Sequence, residues 1–266
     1  MDGQAAAHWG ADAVDLRETS LPGLKARFAV ERAPACGRVL EIGCGDGKIL
    51  RTLARHKRGL ELYGCDVREP TRRADVFEFQ RMDRNVPFAS ASMDAVLVFD
   101  VLEHVPEPLH LIAEAARVLR AEGRLIAFVP VEGETRSFYE LFRRLLGRDT
   151  YVVTKEHIQA FTHRAARSII EDRFDIQDIR YAYHLLGHLM DASFFAAARA
   201  RRLRDFWWQA NVFYNPGMKN TGAGMSLMNR LLIVANAVAA VESTFLSRVR
   251  AGSAGILVDA VVRPER

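Results

Sequence analysis

Glu41-Ile42-Gly43-Cys44-Gly45-Asp46-Gly47 sets glycines at alternating positions directly after an apolar pair, Val39-Leu40, with an acid at the junction. Glycine lets a chain turn sharply out of a strand and lets a ligand lie against the main chain, because no Cβ stands in the way. Two phosphate-binding loops look similar, and the spelling excludes both. A dinucleotide fingerprint needs its third glycine where Lys48 stands, and a P-loop needs Ser or Thr where Ile49 stands. Asp66 closes the next apolar stretch, and an acid at the end of the second strand of a doubly wound sheet accepts hydrogen bonds from ribose hydroxyls. His104 follows a third apolar run, Ala95 to Phe99, at the edge where ligands of open α/β sheets gather. It titrates near neutrality, as a general base should, although a histidine that only packs or caps the next helix would sit there too. Glu103 beside His104 is a thin basis for a metal site. His184 and His188, four apart, have neither a glutamate nor a third ligand for zinc, so no metal is assigned.

Positioning these residues takes strands that alternate with helices from 38 to 130, which argues for a parallel sheet. A helix over Lys48 to His56 links the glycine run to the strand that ends at Asp66. Thr135 to Leu146 and His163 to Arg173 read as helices, the second started by the N-cap Thr162. Phe174 to Tyr181 alternates apolar and polar residues as a strand does.

The glycine run, spelled Glu-x-Gly-x-Gly-x-Gly, resembles motif I of the class I S-adenosylmethionine (SAM) dependent methyltransferases. Three further passages resemble the same family in the same order. They are Leu60 to Val67; Met82-Asp83-Arg84-Asn85-Val86-Pro87-Phe88 with Ser92 to Val105; and Ala116 to Pro130, whose Ala121-Glu122-Gly123 departs from the usual Leu-x-Pro-Gly-Gly turn. Glu156 to Thr162 is similar to the His-x-x-x-Phe-Thr segment of the small-molecule subgroup that includes ubiquinone and menaquinone ring methyltransferases. The resemblance implies SAM as cofactor and S-adenosylhomocysteine as product. It implies a donor site of Glu41, Gly43, Cys44, Gly45, Asp66, Val67, Asp83, Arg84, Phe99 and Asp100. Within that site Glu41 would balance the donor's cationic groups, Asp83 would meet the adenine amine, and Phe99 and Asp100 would line the methionine arm. His104 becomes the candidate base, and Tyr139 and His157 fall in segments that form the acceptor side.

The fold so implied is α/β: a Rossmann-like, doubly wound, seven-stranded sheet whose last strand, near Ile256 to Val262, is antiparallel. Residues 1–35 read as a lead-in or lid with a helix from Leu21 to Glu31. Residues 36–184 read as the SAM-binding core, 185–254 as a helical insertion between strands six and seven, and 255–266 as the final strand.

Composition sets limits on this reading. Hydrophobic residues make up 49% of the 266 and charged residues 26%, the balance of a soluble globular chain with ample core. Cys36, Cys44 and Cys65 have no disulfide-like or metal-like spacing, and Met1-Asp2-Gly3-Gln4 lacks the start of a signal peptide, so a cytoplasmic protein is expected. A net charge of +4 is too small for a nucleic-acid binder. Asn215-Pro216-Gly217 also lacks the second proline and aromatic of base-amine methyltransferases.

The insertion carries Arg199, Arg201, Arg202 and Arg204 beside Phe206, Trp207 and Trp208, then an apolar run from Met225 to Leu246 with Asn229, Asn236 and Ser243 every seven residues. Three readings stay open: a cap on the sheet edge, a peripheral contact of 199–246 with the inner face of the membrane, and a homodimer face. The function expected is methyl transfer to a small or lipid-like acceptor, on oxygen before carbon. The alternative is a methyltransferase-like binding or scaffold protein without chemistry.

Overall fold

A computed structural model describes residues 13–16, 19–71, 75–135, 137–146, 157–190 and 223–263. The arginine- and tryptophan-rich stretch from Arg199 to Trp208, and Asn215-Pro216-Gly217, lie outside the described residues.

Seven strands form one sheet in the order β3-β2-β1-β4-β5-β7-β6. They are β1 Cys36–Ile42, β2 Gly59–Asp66, β3 Glu78–Arg81, β4 Met93–Phe99, β5 Leu119–Pro130, β6 Phe174–Ala182 and β7 Gly255–Val262. Neighbours from β3 through β5 pair in parallel, whereas β7 runs antiparallel to both β5 and β6. Reversal of strand order beside β1 makes the crevice between the carboxyl ends of β1 and β4 a switch point, where open α/β sheets bind ligands. Val96 to Val98 of β4 and Leu40 and Ile42 of β1 are fully buried, as strands covered on both faces must be.

Helices α1 Leu21–Arg32 and α2 Lys48–His56 cover one face through Phe28, Leu50 and Leu53. Helices α3 Pro108–Val118 and α5 His163–Glu171 cover the other through Ile112, Ala115 and Ile170. Each fully buried Leu, Ile or Phe contributes about 1.5–3 kcal/mol. Thr162 caps α5 as its type foretells, its hydroxyl accepting from the Ala165 amide at 3.1 Å. Helix α4 Phe138–Leu146 starts three residues later than the sequence suggests, because Ser137 is its cap and accepts from the Glu140 amide at 3.1 Å.

The last helix, α6 Ala223–Phe245, packs against α1 and β6 with its polarity inverted. Asn236, Ala239, Ala240 and Ser243 face inward, while Leu231, Val234, Val238, Val241 and Phe245 stand exposed. The inward polar groups all find partners: Asn236 Oδ1 accepts from the Leu21 amide at 2.8 Å, and Ser243 Oγ accepts from the Tyr183 amide at 3.0 Å. No helix among the described residues is long and apolar enough to cross a membrane.

Candidate active site

The glycine run leaves β1 through three left-handed residues, Gly43 (φ 72°), Gly45 (φ 49°) and Gly47 (φ 76°). Two of them are also confined sterically. A Cβ on Gly43 would stand 2.4 Å from Val101 Cγ2, and one on Gly47 would stand 2.2 Å from the Phe77 ring. Nothing lies within 4 Å of a Cβ built on Gly45, so its surface opens toward a ligand. The Gly45 amide donates to Asp66 Oδ2 at 2.9 Å and the Arg68 amide to Asp66 Oδ1 at 3.0 Å. One carboxylate therefore joins the ends of β1 and β2. Asp46 holds the next loop by accepting from the Thr71 amide at 2.6 Å and its hydroxyl at 2.8 and 2.9 Å.

Glu41 lies beneath this loop, 5% exposed, with Oε2 buried and unpartnered. Burial raises its carboxyl pKa to about 8, with the Asp66 charge adding to the shift against the Leu50 amide, which favours the charged form. The group is therefore mostly neutral at pH 7, whereas the sequence reading gave it a standing negative charge. Cys44 and Cys65 flank it; burial pushes both thiols up, Cys65 to about 12, which removes them as nucleophiles. Val67, Asp83 and Arg84 are exposed at the outer rim, Arg84 pairing with Glu107 at 2.8 Å.

At the end of β4, Phe99 is buried and Asp100 adopts φ 55°, a conformation that an L residue rarely takes. Its carboxylate meets Lys25 of α1, with Nζ 2.7 and 2.5 Å from the two oxygens. Lys25 was not foreseen, yet the sequence carried a signal. It shares the helix face of Leu21 and Phe28, at i+4 and i−3, and a lysine on an apolar stripe asks for a buried partner.

The short 3-10 turn Leu102–His104 follows. The Glu103 carbonyl accepts from the amides of Ile158 (2.9 Å) and Gln159 (3.0 Å), which ties the segment before α5 to the end of β4. His157 thereby meets His104, the rings edge to face at 4.7 Å between centroids. His157 Nδ1 lies 3.0 Å from Glu132 Oε2 and Nε2 lies 3.9 Å from Glu103 Oε1; His104 Nε2 is 3.8 Å from that same oxygen. Glu103 is fully buried with both carboxyl oxygens lacking a hydrogen bond. Burial first, then the Asp100 charge, holds its pKa well above the carboxylate range. Glu103, His104 and His157 present ligand atoms within 4.8 Å of one another, so His157 is the third ligand that the sequence reading lacked for a metal. Glu132 was also missed; its signal is an acid just past the carboxyl end of β5.

Tyr139 of α4 is buried against Phe138, Tyr183 and Ala254, with His188 4.5 Å from its ring. His188 and His184 do not converge on a metal: His184 Nε2 lies 2.8 Å from the Val249 carbonyl and His188 packs between Phe138 and Tyr139.

Strand order, switch point and glycine loop together define a class I α/β cofactor-binding fold. A sequence profile described as "Methyltransferase domain" matches residues 40–127. The chain is 27% identical over 210 residues to the ubiquinone biosynthesis O-methyltransferase of Hahella chejuensis (strain KCTC 2396), covering 64% of this chain and 84% of that protein. Among solved structures, the [4+2]-cyclase SpnF superposes with a TM-score of 0.58 at 17% identity, over 99% of this chain and 89% of that one. A geranyl diphosphate methyltransferase in complex with SAM superposes at 0.52 and 16% identity, over 98% and 100%. The structural matches speak for the fold alone; the sequence matches carry the activity. Residues 40–127 are a methyltransferase domain, and by these sequence matches the chain is a SAM-dependent methyltransferase with SAM as its cofactor.

Proposed function

We propose that the protein methylates a hydroxyl oxygen of a small or lipid-like acceptor, with His104 as the general base. The cluster of His104, His157 and Glu132 beside Asp100 is the observation that carries this reading. The Hahella relative, a ubiquinone biosynthesis O-methyltransferase, points the same way. Residues 36–184 with 255–266 are taken as the catalytic core, and 1–35 and 185–254 as elements added to it.

The residues fit the cofactor. Gly43, Cys44 and Gly45 offer a main-chain surface free of side chains above Gly45, and Asp66 and Val67 with Asp83 and Arg84 supply the nucleoside side. Phe99 and Asp100 face the amino-acid arm. Glu41, with one unpartnered buried oxygen, gains a negative charge only when a cation approaches and lowers its pKa. When bound, the cofactor supplies an electrophilic methyl group on a sulfonium centre.

His104 accepts the acceptor's hydroxyl proton on its ring. His157, oriented by Glu132, fixes that ring edge-on. Tyr139 and His157 line the acceptor side. The outward apolar residues of α6 support a lipid-like acceptor met at an apolar surface. A second reading rests on the ligand spacing of Glu103, His104 and His157: a divalent cation held there would activate the hydroxyl in place of a base.

Single-turnover transfer of labelled methyl to a panel of phenolic and isoprenoid acceptors tests both. His104→Gln should lose about 10²- to 10⁴-fold in rate with S-adenosylhomocysteine binding intact. An unchanged rate sinks the base. A rate abolished by chelator and restored by a divalent cation replaces it with the metal reading.

A further inference from the structure

Tyr183, the first residue past β6, holds φ 57°, the left-handed region that a bulky side chain seldom adopts. Strain of that kind persists only where the surroundings impose it, and here the surroundings are the end of α6. Ser243 Oγ, itself buried, accepts from two consecutive amides, those of Tyr183 at 3.0 Å and His184 at 3.4 Å. On either side, the Tyr181 amide donates to the Ser247 carbonyl at 2.8 Å and the Leu186 amide to Glu242 Oε2 at 2.8 Å. The Tyr183 carbonyl is fixed as well, accepting from the Ala254 amide at 3.0 Å. A glycine would take this φ freely, so the contacts of the ring are what the position gains from a tyrosine. Those contacts join two walls. The ring lies 5.6 Å from that of Phe128, centroid to centroid, and Phe128 is the register partner of Phe99 at the carboxyl end of β4. On its other side Tyr183 packs against Tyr139 and Ala254, and it stays partly exposed between the two.

Resting on the acceptor-side reading above, we infer that Tyr183 is a specificity-determining residue: its ring bridges the wall at Phe128 and the wall at Tyr139, touches the reacting end of the acceptor and sets how wide that end can be. Helix α6 is the element that fixes this width. A side chain on a loose turn yields to a bulky acceptor, whereas one whose amide and carbonyl are both held does not. The polar residues at the end of α6 fit that task, because Glu242 and Ser243 are bonded to main-chain amides of this one turn. A tyrosine that only sealed the edge of the sheet would affect every acceptor alike. One that touches the acceptor discriminates between them, so the two roles differ in what they do to a ratio of rates.

Methyl transfer from labelled SAM by the full chain separates them. The probes are catechol and its di-tert-butyl derivative, which share the reacting hydroxyls and differ in width. The proteins are wild type, Tyr183→Ala, Tyr183→Phe and Ser243→Ala. Tyr183→Ala should shift the ratio of kcat/KM toward the wider phenol by at least about 10-fold, the scale on which a pocket resolves differences in size. Tyr183→Phe, which keeps the ring, should hold the wild-type ratio within about threefold. Ser243→Ala, which frees the turn with the ring intact, should move the ratio in the direction of Tyr183→Ala. S-adenosylhomocysteine binding retained in every variant shows that each is folded. An equal loss for both phenols in Tyr183→Ala, with the ratio unchanged, overturns the inference. Loss of S-adenosylhomocysteine binding in Tyr183→Ala overturns it too, since that marks a structural role, and an unchanged ratio in Ser243→Ala removes α6 from it. Wild type that binds S-adenosylhomocysteine yet methylates neither phenol fails at an earlier point: the acceptor-side reading falls, and the role of Tyr183 with it.

Discussion

The sheet from β1 to β5 and the helix α6 solve burial in opposite ways. The sheet buries Leu40, Ile42, Val96 to Val98 and Leu125 and leaves polar residues toward its strand ends, Arg38 and Asp94 at one and Asp66 at the other. Helix α6 turns Asn236, Ala239, Ala240 and Ser243 inward and leaves Leu231, Val234, Val238, Val241 and Phe245 in solvent. The sheet is held by area removed from water. Helix α6 is held by specific hydrogen bonds to Leu21 and Tyr183, supplemented by small-residue contact. Substitutions should therefore discriminate between the two regions by type as well as by size.

The largest effect belongs to the glycine loop. Gly43→Val combines φ 72° with a Cβ 2.4 Å from Val101, so several kcal/mol of stability should be lost, read from the urea midpoint. Gly45→Val meets no protein atom within 4 Å, so beyond the strain of φ 49° its main cost falls on the ligand. Its S-adenosylhomocysteine affinity should drop at least about 100-fold, roughly 2.7 kcal/mol. Equal stability losses in the two variants would break the distinction.

Next comes pH. Burial holds the Glu41 proton up to about pH 8, while the unfolded chain releases it near 4.5. Between those values the folded state binds more protons, so stability falls as pH rises from 5 to 8, by at most about 1.4 kcal/mol per unit, and then levels off. Glu103 is shifted in the same direction by burial and by Asp100. Glu41→Gln should flatten part of the decline in urea midpoint, and adding Glu103→Gln should remove more. An undiminished slope in the double variant would mean that both carboxyls are ionised in the fold.

The smallest effects lie on α6 and have the reverse of the usual pattern. Asn236→Leu, polar to apolar, should cost about 1–3 kcal/mol by leaving the Leu21 amide without its partner. Val238→Lys, apolar to charged, should stay within about 0.5 kcal/mol. Flotation with anionic vesicles would sharpen the result: binding lost in Val238→Lys and kept in Asn236→Leu would assign the outward face to a membrane surface.

Legibility from sequence follows the same divide. The alternation of strands and helices was readable because it is written in consecutive residues with a fixed period, whereas the antiparallel last strand was implied by the family resemblance and by no local pattern. The seven-residue spacing of Asn236 and Ser243 also showed that they share a face of one helix. It did not show that this face is the inward one, because direction depends on Leu21 and Tyr183, far away in the chain. Lys25 with Asp100, and His157 with Glu132 and His104, escaped for the same reason: pairs built by the fold leave no local pattern. Glu41 was placed correctly beside the loop, but its protonation depends on burial, and composition does not report burial.

The position of β7 has a consequence for how the chain is made. Among the described residues it is the sole strand partner of β6, and it pairs along β5, yet β5 ends at residue 130 and β7 begins at residue 255. During synthesis at roughly 5–20 residues per second, the outer edge of β5 waits on the order of ten seconds for its partner to leave the ribosome. An unpaired apolar edge of that kind is a template for pairing with other chains. Ribosome-bound intermediates arrested before residue 255 should therefore be the species that chaperones engage, while release of the last strand closes the sheet at once along both β5 and β6.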